Sequence, residues 1–357
     1  MLTLKKETET QLKNTDRNEF VKYKDGGRTG LANLGNTCFM NSALQCLSNT
    51  YELNNLLDEG SYKKRLNNVP ESLILCEWDN LRKMMWDENC TISPGGFVGA
   101  IQKVARIKDR SIFTGFAQND LTEFLQFIAE CFHNSICREV EMNIQGSAIT
   151  QTDKLALSCF TMMKNMYKKE YSEFLNMFFG IHVSQIKSTE SDYLNITPEP
   201  FFNLSVPMSP EGTLEKSIEL YTATELLEGD NMVLNDKTQK KEKAEKNIQF
   251  WSLPEVLVCT LKRFNNNNEK DQRLVDFPLE DLDLTEYVVG YDKASYKYDL
   301  YGICNHIGGS AGGHYTAFVK NPNNKWYHFN DTNCDEVGLG ELKTSKAYCF
   351  FYRKQKK

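Results

Sequence analysis

The sequence predicts an α+β protein in which a helical lobe comes first and a largely antiparallel sheet follows. Two hydrophobic periods carry this reading. Spacings of three and four run from Gly30 to about Ile136, and alternation with a period of two begins after about Glu173. Short strands punctuated by Gly, Asn and Pro then continue to Phe351.

Residues 1–27 lack hydrophobic periodicity and are expected to form a flexible tail ending at Asp25-Gly26-Gly27. Met40, Ala43, Leu44 and Leu47 then share one helical face, as do Ile74, Trp78, Leu81 and Met85. Ser93-Pro94 supplies an N-cap and first turn for the helix that carries Phe97, Ile101 and Val104. The longest stripe is Leu121, Phe124, Leu125, Ile128 and Phe132, with Asn119 placed to cap it. Residues 141–172 have weak periodicity and read as peripheral. The strand pattern appears at Phe202, Leu204 and Val206, at Leu257, Cys259 and Leu261, and at Tyr315, Ala317 and Val319. The stretch NDKTQKKEKAEKN, 235–247, is a charge run and reads as a solvated face or loop.

A length of 357 residues allows one large domain or two ordinary ones. Hydrophobic residues at 40% and charged residues at 25% are globular proportions. A formal net charge of -6 argues against a nucleic-acid partner, which a dense basic cluster would grip by displacing phosphate counterions. The start is polar, without the apolar run of a signal peptide, and no stretch approaches the ~18 apolar residues of a membrane span. The 11 cysteines are odd in number and include no CxxC pair, so they read as reduced thiols in a cytosolic or nuclear protein. Cys46, Cys76 and Cys131 read as core filler.

The segment from Gly30 to Ser42, GLANLGNTCFMNS, is the most informative. A Gly-rich loop turns into a helix at Asn36-Thr37, leaving Cys38 in the first turn. There, unpaired backbone N–H groups and the positive end of the helix dipole favour a thiolate, which lowers the thiol pKa from its usual value of about 8.5. The same N–H groups, with an amide such as that of Asn33, are suited to hold an oxyanion.

Five histidines are present: His133, His182, His306, His314 and His328. His314 follows the loop Gly308-Gly309-Ser310-Ala311-Gly312-Gly313 and opens an alternating strand. The strand from His314 to Val319, a turn over Asn321 to Lys325, and Trp326 to Phe329 read as a hairpin. That hairpin is expected to bring Asp331 to the ring of His314, completing a Cys–His–Asp relay.

GLANLGNTCFMNSALQCL (30–47) resembles the cysteine box of the ubiquitin-specific proteases. GGHYTAFVKN followed by WYHFND (312–331) resembles their histidine box, and AQNDLTEFL (117–125) and LPEVLVCTLKRF (253–264) resemble their internal boxes. The resemblance runs from about Arg28 to Tyr352. It implies a papain-like cysteine peptidase with a helical thumb (about 28–140) and an antiparallel β palm and fingers (about 173–357). It implies Cys38 as nucleophile, His314 as base, Asp331 as third member and Asn33 at the oxyanion. Asp120 and Glu123 then fall where relatives hold the arginines of ubiquitin's tail, and Gln118, Phe264, His306 and Tyr315 where the tail channel is lined.

The implied reaction is hydrolysis of the isopeptide or peptide bond after ubiquitin's terminal glycine, in a monomer whose partners are ubiquitin and ubiquitinated proteins. A ubiquitin-binding scaffold and a peptidase for a ubiquitin-like modifier are the alternatives. Many relatives hold a structural zinc with two CxxC pairs. Here those positions fall on Ser188 and Ser191 and near Asn235 and Thr238. Hydroxyls are poor zinc ligands, so no metal and no cofactor is expected. Phe39 replaces the usual Tyr, and Asn330 stands where Asp is common beside the third member.

Overall fold

The computed structural model describes residues 1–6, 26–58, 60–291, 296–310 and 312–356. Its helices dominate the first part of the chain and its strands the rest, giving an α+β architecture. The helix Cys38–Ser48 is buried along its whole length. It packs on Gly312–Lys320 and Lys297–Gly309 and on the helix Leu121–Ile136, and Ser72–Asp87, with Gly95–Ile107 against it, extends the same core behind Leu121–Ile136. Phe39 lies edge-on to Phe124 at 5.5 Å between ring centres.

The eight-stranded sheet runs in the order Asn333–Val337, Trp326–Asn330, Gly312–Lys320, Lys297–Gly309, Ala347–Lys354, Val256–Lys262 and Asn203–Pro207, with Leu282–Asp283 added against Lys297–Gly309. Only the pair of Val256–Lys262 and Asn203–Pro207 is parallel. Both faces of this sheet are covered, so Val256–Lys262 reads as a nearly unbroken apolar run. Alternation divides its residues. Val256 and Val258, with Tyr315, Ala317 and Val319, face the helical core, whereas Leu257, Cys259 and Leu261 face a second core under the helix Leu214–Thr222.

A separate antiparallel sheet of four strands, Leu194–Phe201, Gly180–Ser188, Ala244–Ser252 and Glu225–Leu227, projects beside the first.

Two sequence expectations are corrected and a third holds only in part. The tail is ordered at its beginning: Thr3–Lys6 pairs antiparallel with Met142–Gln145 and Leu2 is buried, while residues 7–25 lie outside the described residues. The weakly periodic stretch holds a 17-residue helix, Gln151–Tyr167, started by a capping box between Thr150 and Asp153. The charge run 235–247 is solvated as expected over most of its length, with a turn at 236–239, but it also ends the strand Val233–Asn235, forms Lys240–Glu242 and opens Ala244–Ser252, and it buries Asn235, Glu242 and Ala244.

Candidate active site

The loop before Cys38 needs left-handed backbone at Gly35 (φ 98°) and at Asn36 (φ 55°), a conformation that Gly adopts freely and Asn tolerates. Asn33 stabilises the turn by accepting from the N–H groups of Gly35 and Thr37, both at 3.1 Å. The helix then begins at Cys38, which is 3% exposed. Its thiol faces the backbone N–H of Tyr315, the residue after His314, and those of Phe39 and Cys38 itself.

The expected thiolate stabilisation is outweighed. Burial pushes the Cys38 thiol above its ordinary value and the charge of Asp331 adds to this, while the three N–H groups pull the other way. The balance on the free thiol is therefore upward.

His314 Nε2 lies 2.7 Å from Asn330 Oδ1. An amide oxygen only accepts, so Nε2 carries the proton and Nδ1 is the basic nitrogen of the ring. This corrects the expectation that Asp331 partners His314. Phe318 pairs with His328 across the hairpin, so His314, Thr316 and Phe318 share a face with His328 and Asn330. Asp331 follows the end of that strand with φ 50° and turns away.

Asp331 instead orders the cysteine loop. Its carboxylate accepts from Asn33 Nδ2 at 3.0 Å and from Asn41 Nδ2 at 2.8 Å, and its carbonyl accepts from Leu31 N at 2.8 Å. A Cβ at Gly30 would sit 2.1 Å from Thr332 O, so only glycine permits this close approach. Asn33 thus keeps one amide N–H on Asp331 and has a second to offer an oxyanion beside the start of the helix.

Beside the thiol runs a groove of about 270 Å³ lined by Gln118, Asp120, Phe264, His306, Tyr315 and the Gly309–Gly313 loop, of which Ala311 lies outside the described residues. Gln118 bridges the loops that precede Cys38 and His314: Oε1 accepts from Gly313 N at 2.7 Å and Nε2 donates to Asn36 Oδ1 at 3.4 Å. Asp120, not Asn119, caps the helix Leu121–Ile136 and also accepts from Tyr348 OH at 2.7 Å. Asn119 turns back to the carbonyls of Ile112 and Ala117. Glu123 is exposed in a neighbouring cavity of about 550 Å³, between that helix and Phe179 to Asn203.

His306 is buried and stacked on Tyr315 at 4.6 Å, with Phe264 and Tyr348 each at 5.9 Å. Burial, reinforced by Lys270, pushes its pKa down to about 4, so it is neutral at pH 7. Lys270, itself pushed down to about 8 by burial, donates to His306 O at 2.7 Å. The sequence reading noted Asn330 only as a departure from the family pattern, not as the partner of His314, and it assigned no role to Asn41, Tyr348 or Lys270. The period of two along the hairpin would have found Asn330, and the three-residue spacing from Cys38 would have found Asn41. Tyr348 and Lys270 carry no local signal. Among the described residues, no group of three or more His, Cys, Asp or Glu is placed to hold a metal.

Residues 29–352 match the family of ubiquitin carboxyl-terminal hydrolases. The chain belongs to that family. Ubiquitin carboxyl-terminal hydrolase 2 of Homo sapiens is 32% identical over 341 residues, covering 91% of this chain and 55% of that protein. Its namesake in Gallus gallus is 34% identical over 340 residues, covering 91% of this chain and 93% of that protein. The chain thus spans about half the length of several of the curated relatives it matches. A chain in the structure of the SAGA Ubp8/Sgf11/Sus1/Sgf73 DUB module bound to ubiquitin aldehyde superposes with a TM-score of 0.72. The identity is 23%, covering 94% of this chain and 71% of that one. The hydrolase family's fold therefore applies here, with the helical lobe as thumb, the eight-stranded sheet as palm and the four-stranded sheet as fingers.

Proposed function

We propose that this chain is a thiol-dependent deubiquitinase that cuts the isopeptide or peptide bond after the terminal glycine of ubiquitin. The observation that carries the reading is the meeting of Cys38, at a buried helix start, with the strand of His314, whose ring is tied to Asn330. The groove lined by Gln118, Asp120, His306 and Tyr315 includes Gly313 and Tyr315, the residues on either side of His314. The ubiquitin aldehyde in the related DUB module supports the same substrate.

In this reading the Cys38 proton passes to His314 Nδ1 as sulfur forms a bond to the glycyl carbonyl carbon. The oxyanion is held by Asn33 and the N–H groups at the helix start. On collapse the C–N bond breaks, and the imidazolium returns its proton to the leaving amine. Water, deprotonated by His314, then releases ubiquitin's carboxylate from the thioester and restores the thiol. A thiol nucleophile works only while reduced, so the reading carries an intracellular, reducing compartment.

Incubation with ubiquitin bearing a C-terminal electrophile tests this. A covalent adduct mapped to Cys38 is expected. A folded protein that binds ubiquitin without forming the adduct would mark a scaffold, and an adduct only with a ubiquitin-like tail would mark another modifier.

A further inference from the structure

The tip of the fingers is organised around one carboxylate. Ser188 and Ser191 both donate to Glu242 Oε2, at 2.7 and 2.6 Å. Asn235 Nδ2 and Thr238 Oγ1 both donate to Oε1, at 2.8 and 3.3 Å. The resemblance would put zinc-binding cysteines at Ser188 and Ser191 and near Asn235 and Thr238. Hydroxyl and amide groups are weak zinc ligands, and all four side chains direct a donor at the carboxylate instead. The residues therefore do not fit a zinc ion.

The two turns are built alike. Ser188 Oγ accepts from the N–H groups of Glu190 and Ser191, at 3.0 and 3.1 Å. Asn235 Oδ1 accepts from those of Lys237 and Thr238, at 2.9 and 3.3 Å. Each turn thus presents two donors, spaced i and i+3, to a shared acceptor. A carboxylate has about four lone-pair sites, and here two donors fall on each oxygen. Glu242 is 6% exposed, Ser188 4% and Asn235 2%. An anion so buried and so fully satisfied is held in its charged form, pushed down to about 2 by the four hydrogen bonds.

We infer that Glu242 is a positioning residue: its carboxylate pins the turns 188–191 and 235–238 together and so fixes the reach of the fingers toward the globular body of the substrate. The second half rests on the function proposed above. The strand Gly180–Ser188 spans about 30 Å at the usual rise per residue, so slack at its tip moves that end far relative to the palm. Its neighbour Leu194–Phe201 ends at Pro200 and Phe201, which line the large cavity beside Glu123. On the proposed function, that cavity and this sheet are the surfaces that would receive a globular domain whose tail lies in the groove.

The test compares wild type, Glu242→Gln and Ser191→Ala by amide hydrogen exchange and by kinetics. Ser191 is at the surface, and its alanine variant removes one donor to Glu242, together with the acceptor of Tyr193 N and a long contact from Asn235 Nδ2, and leaves the core in place. The staple predicts faster exchange at 188–193 and 235–243 in both variants, larger for Glu242→Gln, with the palm unchanged. Positioning predicts KM for ubiquitin-fluorophore raised roughly three- to tenfold at constant kcat. Cleavage of a short diglycine-tail peptide, which does not reach the fingers, stays at the wild-type rate. Unaltered exchange at both turns overturns the staple, and equal losses on both substrates overturn positioning. A wild type inactive on ubiquitin would count against the proposed function, while the exchange result would still decide the staple.

Discussion

His314 and Asn330 lie diagonally across one hairpin, with Nε2 2.7 Å from Oδ1, while the next residue, Asp331, faces the cysteine loop. The two neighbours thereby separate two tasks. A neutral amide fixes the tautomer of His314, and an anion fixes the loop that carries Asn33 and Cys38.

Asn330→Ala frees the ring and is expected to lower kcat/KM about a hundredfold, the cost of a misplaced catalytic group. Asn330→Asp keeps an acceptor at the same place and should retain most of the activity. Steady-state kinetics on ubiquitin-fluorophore checks both.

Asp331→Ala releases Asn33 and Asn41 without touching the imidazole. Turnover is expected to fall roughly a hundred- to a thousandfold with little change in KM, as when an oxyanion donor is lost. Asp335→Ala, on the outermost strand, leaves turnover near wild type. Equal losses for the two aspartates would show that Asp331 has no special part.

The charge of Asp331 also opposes thiolate formation, and burial opposes it more. Alkylation of Cys38 by iodoacetamide should therefore lack the plateau below pH 7 of a preformed thiolate and rise steeply in the alkaline range. Asp331→Asn removes a negative charge, which lowers the thiol pKa, so its profile shifts toward lower pH.

His306 folds best neutral, because burial depresses its pKa to about 4 from an unfolded value of about 6.5. Below pH 6.5 the unfolded chain takes up the proton more readily. Stability should then fall as pH drops from 6.5 toward 4. His306→Phe keeps the stack on Tyr315 and removes this titration, so its melting temperature should depend less on pH across that window.

Gly313→Ala places a Cβ 2.4 Å from both His306 Nε2 and Ile307 O, so the strand start that carries His314 must shift. A loss of about 1–3 kcal/mol in stability is expected from the overpacking, with a drop in kcat/KM beyond what KM explains. Denaturant melts and kinetics measure the two effects.

The stripes around Met40 and Phe124 and the alternation at Tyr315, Ala317 and Val319 were legible because each lies on a face buried in one core. The helix Gln151–Tyr167 was not, because only Asp153, Ala156 and Cys159 are buried along it, too few to print a period. Its start signal, Thr150 with Asp153, was nevertheless in the sequence. The hairpin read from the sequence brought Asp331 near His314 in space, but side chains alternate faces along a strand and the residue before it faces the ring. The position of Cys38 at a helix start was readable, whereas the net direction of its pKa was not. Desolvation and the charge of Asp331 depend on neighbours far apart in sequence. The charge run 235–247 hid Glu242, the one acidic residue in it that packs inward onto donors from two turns.

Hydrolysis of ubiquitin carrying a C-terminal fluorophore, measured side by side for wild type, Cys38→Ala and His314→Ala, tests the central claim most directly. Release by wild type that vanishes in both variants is the predicted result. Release that survives in Cys38→Ala, or no release from a folded wild type, would contradict it.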